Sequence, residues 1–221
     1  FGMIGSTDSH TGMTGADEAS AWGVGEPGRY RAINRWYYNS SGYAAVWAAE
    51  NTRESLFAAL KRRETYATTG PRMVVRFFAG WDFAVEDADQ ADFVRRGYSK
   101  GVPMGGDLTR APVGASPRFL ISAAKDPHGA NLDRIQVIKG WRSVDGKLHE
   151  KVYDVALSDD RTVGKNGETK AVGDTVDIAA ASYTNTIGDP ELATVWEDPD
   201  FDGTEAAFYY VRVLQIPTPR W

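Results

Sequence analysis

The chain has 221 residues, 42% of them apolar, with seven Trp, ten Tyr and nine Phe, so it can bury one large core or two small ones and is not composed like a disordered chain. A net charge of −5, with no basic run longer than Lys61-Arg62-Arg63, argues against a nucleic-acid partner, and no stretch has the length and apolarity of a membrane span. The absence of cysteine excludes disulfides, thiolate metal sites and thiol nucleophiles.

In chain order, Phe1 to Ile4 is expected to be a short buried strand, followed by a polar loop to residue 13. Residues 14–43 lack a clean period; they are expected to form a long loop with one short helix from Asp17 to Trp22 and an aromatic cluster at Ile33, Trp36, Tyr37 and Tyr38. Asn51-Thr52-Arg53-Glu54 fits a capping box with Asn51 as N-cap and Glu54 at the third helical position. Leu56, Phe57 and Leu60 then fall on one apolar face, and Lys61 to Arg63 suit the negative end of the helix dipole. Thr65 to Thr69 has strand composition and ends at Gly70-Pro71.

Beyond Pro71 the pattern is that of strands, at Met73–Phe78, Arg118–Ala124, Asp133–Lys139, Lys151–Leu157, Thr175–Tyr183 and Ala207–Ile216. Asp145-Gly146 marks a hairpin turn, and Ala84 to Arg95 is expected to hold a short helix. These features predict a helical, loop-rich part over 1–70 and a mostly antiparallel, sandwich-like part over 71–221, an α+β class overall.

Asp8 and His10 lead the candidates for chemistry. At the end of a strand, residues i and i+2 point the same way, so an Asp-x-His can aim a carboxylate and an imidazole at one point; both are suitable ligands for zinc, manganese or iron. An ordinary turn is the competing reading. Asp198, Asp200 and Asp202, followed by Gly203, match the first half of a calcium loop, but position twelve would be Tyr209 rather than Glu, and a plain acidic turn is the better reading. Thr68, Thr69, Gly70 and Arg72 could hold an oxyanion at a strand end. His128 and His149 sit in turn or hairpin contexts and are expected at the surface. Trp36 and Trp141 could serve a ring-binding site, though core packing suits them better.

Taken together, GSTDSHTG and ENTRESLFAALKRRETYATTGPRM resemble the C-terminal end of PHP (polymerase and histidinol phosphatase) type metallohydrolases. The closer resemblance is to the related family called domain of unknown function 3604, which also shares the tail DPDF followed by AFYYVRVLQIPTPRW. The resemblance implies that residues 1–70 are the C-terminal end of a distorted PHP-type α/β barrel carrying a β-rich appendage over 71–221. It implies that Asp8 and His10 are metal ligands, with Asp8 also orienting the attacking water, and that Thr69 and Arg72 lie near the metal mouth on the substrate side. Two or three divalent ions (Zn, Mn or Fe) would serve the intact protein. The N-terminal His-x-His and the further Glu and His ligands of such enzymes do not occur here, so the missing N-terminal part of the same protein is an expected partner, and the isolated chain is expected to be inactive.

The reaction implied is hydrolysis of a small-molecule phosphoester, ester or carbamate by metal-activated water. The rival readings are a non-catalytic β-sandwich binding or structural module, and a relative that has lost its metals. The resemblance and the lack of cysteine together point to a periplasmic or secreted location.

Overall fold

A computed structural model describes residues 2–6, 42–165, 167 and 169–219. The expected polar loop after Ser6, the helix from Asp17 to Trp22, the aromatic cluster around Trp36, and Asp8 and His10 themselves lie outside the described residues.

The first described hairpin pairs β1 (Tyr43–Val46) with β2 (Thr65–Thr68), and helix α1 (Arg53–Arg62) forms its connection. α1 begins one residue later than the capping box predicts. Thr52 is extended at φ −119 and accepts the Ser55 N–H at 3.3 Å, while Ser55 Oγ accepts the Glu50 N–H at 3.2 Å. Asn51 and Thr52 are both good caps, and the backbone geometry chose the second. Thr52→Ala is expected to cost about 0.5–2 kcal/mol of stability, measurable by urea denaturation; an unchanged midpoint would show that water satisfies the helix end equally well. At the other end Arg63 is left-handed at φ 63, the conformation that closes many helices.

Two expectations fail in this region. Gly2–Ser6 joins no ladder, and Ile4 is 67% exposed, so the predicted buried strand is absent from these residues. The α1 face of Phe57 and Leu60 points outward, at 67% and 47% exposure, and the small Ala59 is the residue buried. Periodicity finds an apolar stripe, but only neighbouring chain decides which stripe is covered.

The remainder is a sandwich of two antiparallel sheets. One has the order β4-β3-β5-β8, from β3 (Val74–Gly80), β4 (Gly101–Pro103), β5 (Arg118–Ala124) and β8 (Glu191–Glu197). The other has the order β7-β6-β9, from β6 (Leu132–Arg142), β7 (Leu148–Leu157) and β9 (Ala206–Gln215). The described strands therefore form open sheets, α+β and sandwich-like, with no closed barrel among them.

Alternation along the strands fills the space between the sheets with Phe77, Phe119, Ile121, Leu132, Ile135, Val137 and Leu192. The opposite face of the four-stranded sheet buries Phe78 and Leu120 with Phe83, against a 3₁₀ turn (Val85–Asp89) and helix α2 (Phe93–Lys100). The single helix expected over Ala84 to Arg95 is thus two pieces, because Gln90 is extended at φ −85, ψ 136 and Asp87 turns its carboxylate back to the Ala84 N–H at 2.9 Å.

Thr175 to Tyr183 forms no strand. Thr175 and Asp177 spend their side chains on the backbone of Thr184 and Ala180 at 2.7 and 3.0 Å, an alternative to ladder pairing, and Ile178 is 88% exposed. β1, β4 and β8 were not anticipated. β8 is short and bounded by Glu191 and Glu197, and pairing with β5 makes it a strand.

The hairpin is tied to the sandwich by polar and aromatic contacts. Trp47 Nε1 donates to Val75 O at 3.0 Å, Tyr66 Oη donates to Met73 O at 2.8 Å, and the Arg76 guanidinium lies 3.1 Å from the Trp47 ring centroid. Tyr98 donates to the buried Glu64 and receives Arg76 at 3.4 Å, which extends the chain of contacts to α2. Gly105 closes the join from the other side. It is left-handed at φ +81, and a Cβ there would lie 2.1 Å from Arg63 O, so only glycine fits.

Candidate functional site

The segment leading to the Asp-x-His motif is held against the hairpin by glycine. A Cβ on Gly5 would lie 2.5 Å from Tyr43 O and 3.1 Å from Thr68 O; one on Gly42 would lie 3.0 Å from Thr68 O and 3.1 Å from Ser6 O. Ser6, two residues before Asp8 in the sequence, therefore sits beside Thr68 and the turn that follows β2.

That turn carries the other two sequence candidates. Thr69 is exposed and lines a cleft described below. Arg72 faces elsewhere: its guanidinium lies 5.6 Å from the Tyr43 ring centroid, and its main-chain N–H donates to Asp126 Oδ2 at 2.7 Å. The two share a turn but not a surface, since Arg72 is not part of the cleft lining.

Asp126 anchors this turn, and also accepts the His128 N–H at 2.9 Å. The Arg72 N–H bond, partly offset by burial, holds the Asp126 carboxyl below its ordinary value. A folded-state pKa below the unfolded one gives stability that is complete above about pH 4 and is lost as pH falls through the folded value. Asp126→Asn is accordingly expected to lose less stability than the parent when the pH is lowered from about 6 to about 3. Urea denaturation at the two pH values measures this; equal losses would show that the carboxylate does not hold the turn.

The acidic stretch Asp198 to Asp202 does not converge on a point. Asp198, fully buried, pairs with Lys139 Nζ at 2.7 Å and accepts the Tyr209 hydroxyl at 2.6 Å. Asp200 pairs with Lys151 at 2.5 Å and accepts the Tyr153 hydroxyl at 2.6 Å, while Asp202 turns to the Thr204 N–H and hydroxyl at 2.8 and 2.7 Å. Both phenols are pushed well above the ordinary tyrosine range, by burial first and then by the carboxylate each faces, so each stays a donor. The expected plain turn is thus an ion-pair lock joining β6, β7 and β9 to the end of β8. Its missing signal was Lys139, which sits at an inward position of β6 where alternation calls for an apolar residue.

Sequence reasoning also missed the cleft, which holds about 680 Å³ and is lined by residues of β3 and β4 from one sheet and β9 from the other. Its floor is aromatic: Phe119 stacks on Phe77 at 5.4 Å and meets Tyr209 at 4.6 Å. Trp81 stands on the lining with its indole N–H held by Thr109 O at 3.2 Å and its ring edge-on to Phe201 at 6.0 Å. Met3 and Thr65 to Thr69 belong to the same lining, so the cleft reaches the hairpin on which Gly5 and Ser6 lie. Such a gap arises from the tertiary pairing of two sheets and has no local sequence pattern.

His128 and His149 are exposed, His149 stacked on Trp141 at 5.0 Å. Among the described residues no group of three or more His, Asp or Glu side chains could hold a metal ion.

No curated protein and no solved structure matches the chain. A family model described as a protein of unknown function, DUF3604, matches residues 1–221. The chain, from the Asp-x-His segment to the end of the sandwich, therefore belongs to the DUF3604 family.

Proposed function

We propose that the chain is part of a PHP-type metal-dependent hydrolase, with residues 1–70 contributing the end of the barrel and residues 71–221 forming the appended sandwich. The observation that carries this reading is the seating of Gly5 and Ser6 on the β1–β2 hairpin. It brings the segment that leads to Asp8 and His10 up to Thr68, beside Thr69 and the mouth of a ligand-sized cleft. The exposed Phe57 and Leu60 on α1 suit a barrel helix with a further neighbour.

The donors fit divalent transition metals in kind, one carboxylate and one imidazole, but two donors fall short of a four-coordinate site, so the reading requires further ligands beside Asp8 and His10. When bound, the metals supply a water acidic enough to attack near neutral pH. Asp8 holds metal and orients the water, His10 ligates through a neutral imidazole nitrogen, Thr69 offers a hydroxyl to the substrate, and Arg72 balances an anionic group at the turn. The scissile bond in this reading is a phosphoester, ester or carbamate.

Elemental analysis of the intact protein, purified without chelator, is expected to find at least one transition metal per chain. Asp8→Ala and His10→Ala are each expected to lower metal-dependent turnover of p-nitrophenyl phosphate or p-nitrophenyl acetate by at least ~100-fold, more than loss of a group that merely orients a ligand. Less than one metal per chain, or turnover unchanged in both variants, would reject the reading. Residues 1–221 alone are expected to turn over weakly or not at all.

A further inference from the structure

We propose that the cleft between the two sheets binds a small molecule with a flat apolar body and one oxyanion group. The volume of about 680 Å³ lies within the range of small-ligand sites. The body of the ligand is matched by the aromatic floor and by Trp81, whose hydrogen bond to Thr109 and edge contact with Phe201 fix the ring before any ligand arrives. Met73 and Met104 on the walls add polarizable surface that adapts to ring edges.

The oxyanion is matched by Arg110. Arg110 lines the cleft, and its guanidinium makes no hydrogen bond or ion pair with a described residue. Arg212, opposite Gln136 in the β6–β9 ladder, presents its side chain to the outer face of its sheet, since Val211 and Val213 beside it fill the space between the sheets. Elsewhere in the sandwich Arg96, Arg118, Arg134 and Arg161 each hold a carboxylate. Of the cleft's acids, Asp107 is engaged by Arg63 at 3.4 Å, which leaves Glu205 as the remaining acid of the lining. Arg110 is moreover left-handed at φ 60, a conformation that a residue with a side chain seldom adopts without a local reason. A guanidinium beside an apolar wall suits a carboxylate, phosphate or sulfate that ends an apolar body.

The inference does not depend on the hydrolase reading, and the test separates the two. The probes are 8-anilinonaphthalene-1-sulfonate and N-phenyl-1-naphthylamine, which carries the same rings without the sulfonate. The chain is expected to bind the sulfonate saturably, one per chain, and roughly 10-fold more tightly than the neutral probe. Arg110→Gln, at an exposed position, is expected to weaken the sulfonate alone, Arg212→Gln, on the outer face of its sheet, to weaken neither probe, and Trp81→Ala to weaken both, with near-UV circular dichroism unchanged in the arginine variants. Displacement by 2-naphthoate or by 2-naphthyl phosphate, but not by 2-naphthol, identifies which oxyanion the site prefers. The Asp8→Ala/His10→Ala chain is expected to bind the sulfonate with unchanged affinity. Equal affinity for the two probes, sulfonate binding unaltered in Arg110→Gln, non-saturating binding, or binding lost with Asp8 and His10 would each overturn the proposal.

Discussion

Asp198→Ala is expected to destabilise the protein by about 3–5 kcal/mol, the cost of breaking a buried ion pair from one side. The Lys139 side chain is 3% exposed and the Asp198 side chain 0%, so neither charge has bulk water to fall back on. With the carboxylate gone, the ammonium keeps, among the described residues, one hydrogen bond, to the Asp200 carbonyl at 2.6 Å, beside the more distant Trp141 and Tyr209 rings. The Tyr209 hydroxyl loses its acceptor, and the Asp200 N–H loses a bond of 2.9 Å. Urea denaturation should show a lower midpoint with little change in slope.

The companion experiment replaces the lock as a whole. Lys139→Met/Asp198→Leu/Tyr209→Phe removes both charges and the hydroxyl they would orphan, and most of the lost stability should return, because well-packed apolar groups of similar volume often replace a buried ion pair without loss. A loss below about 1 kcal/mol for Asp198→Ala would place the pair among those that solvent reaches and screens. The lock also bears on the cleft, since Tyr209 belongs to both.

Phe119→Ala is the second large effect, expected at about 3–5 kcal/mol. Phe119 is 2% exposed at the middle of the sandwich, stacked on Phe77 at 5.4 Å and against Trp196 at 5.6 Å and Tyr209 at 4.6 Å. Its removal forfeits the transfer energy of the ring and leaves a cavity that β-sheets on either side cannot close, because their separation is set by the remaining side chains. The variant should also lose affinity for both naphthalene probes, as it removes part of the cleft floor.

Phe57→Ala is the useful contrast. Both are phenylalanines in strongly patterned elements, yet Phe57 is 67% exposed, and its truncation should stay within about 0.5 kcal/mol. A loss well above 1 kcal/mol would show that the outer face of α1 is covered in solution.

That contrast shows where the sequence was legible. Arg118–Ala124 was placed to the residue, and the strands at Val74–Gly80, Leu148–Leu157 and Ala206–Gln215 were found with shifted ends, because each carries a two-residue alternation or a continuous apolar run bounded by turn residues. Helix α1 was found from its cap, its alanines and its basic last turn, which act within a few residues of one another. By the same logic β8 was missed, since its strand character comes from β5 beside it, and Thr175 to Tyr183 was overcalled, since composition does not reveal side chains bonding to their own backbone. Of the candidate site, Thr69 and Arg72 were read together at the end of a strand, but their different directions are set by Tyr43 and Asp126, residues 29 and 54 positions from Arg72.

The sequence by itself determined the class of the fold, its antiparallel sandwich, and its membership of the DUF3604 family, because alternation, caps, turns and a recurring motif are properties of neighbouring residues. Tertiary structure alone decided which helix face is bare, that Asp198 meets Lys139 across 59 positions, and that an aromatic cleft with Arg110 on its lining lies between the two sheets. Those outcomes depend on distances between segments remote in the chain, and burial and Coulomb attraction act on distance in space, not along the sequence.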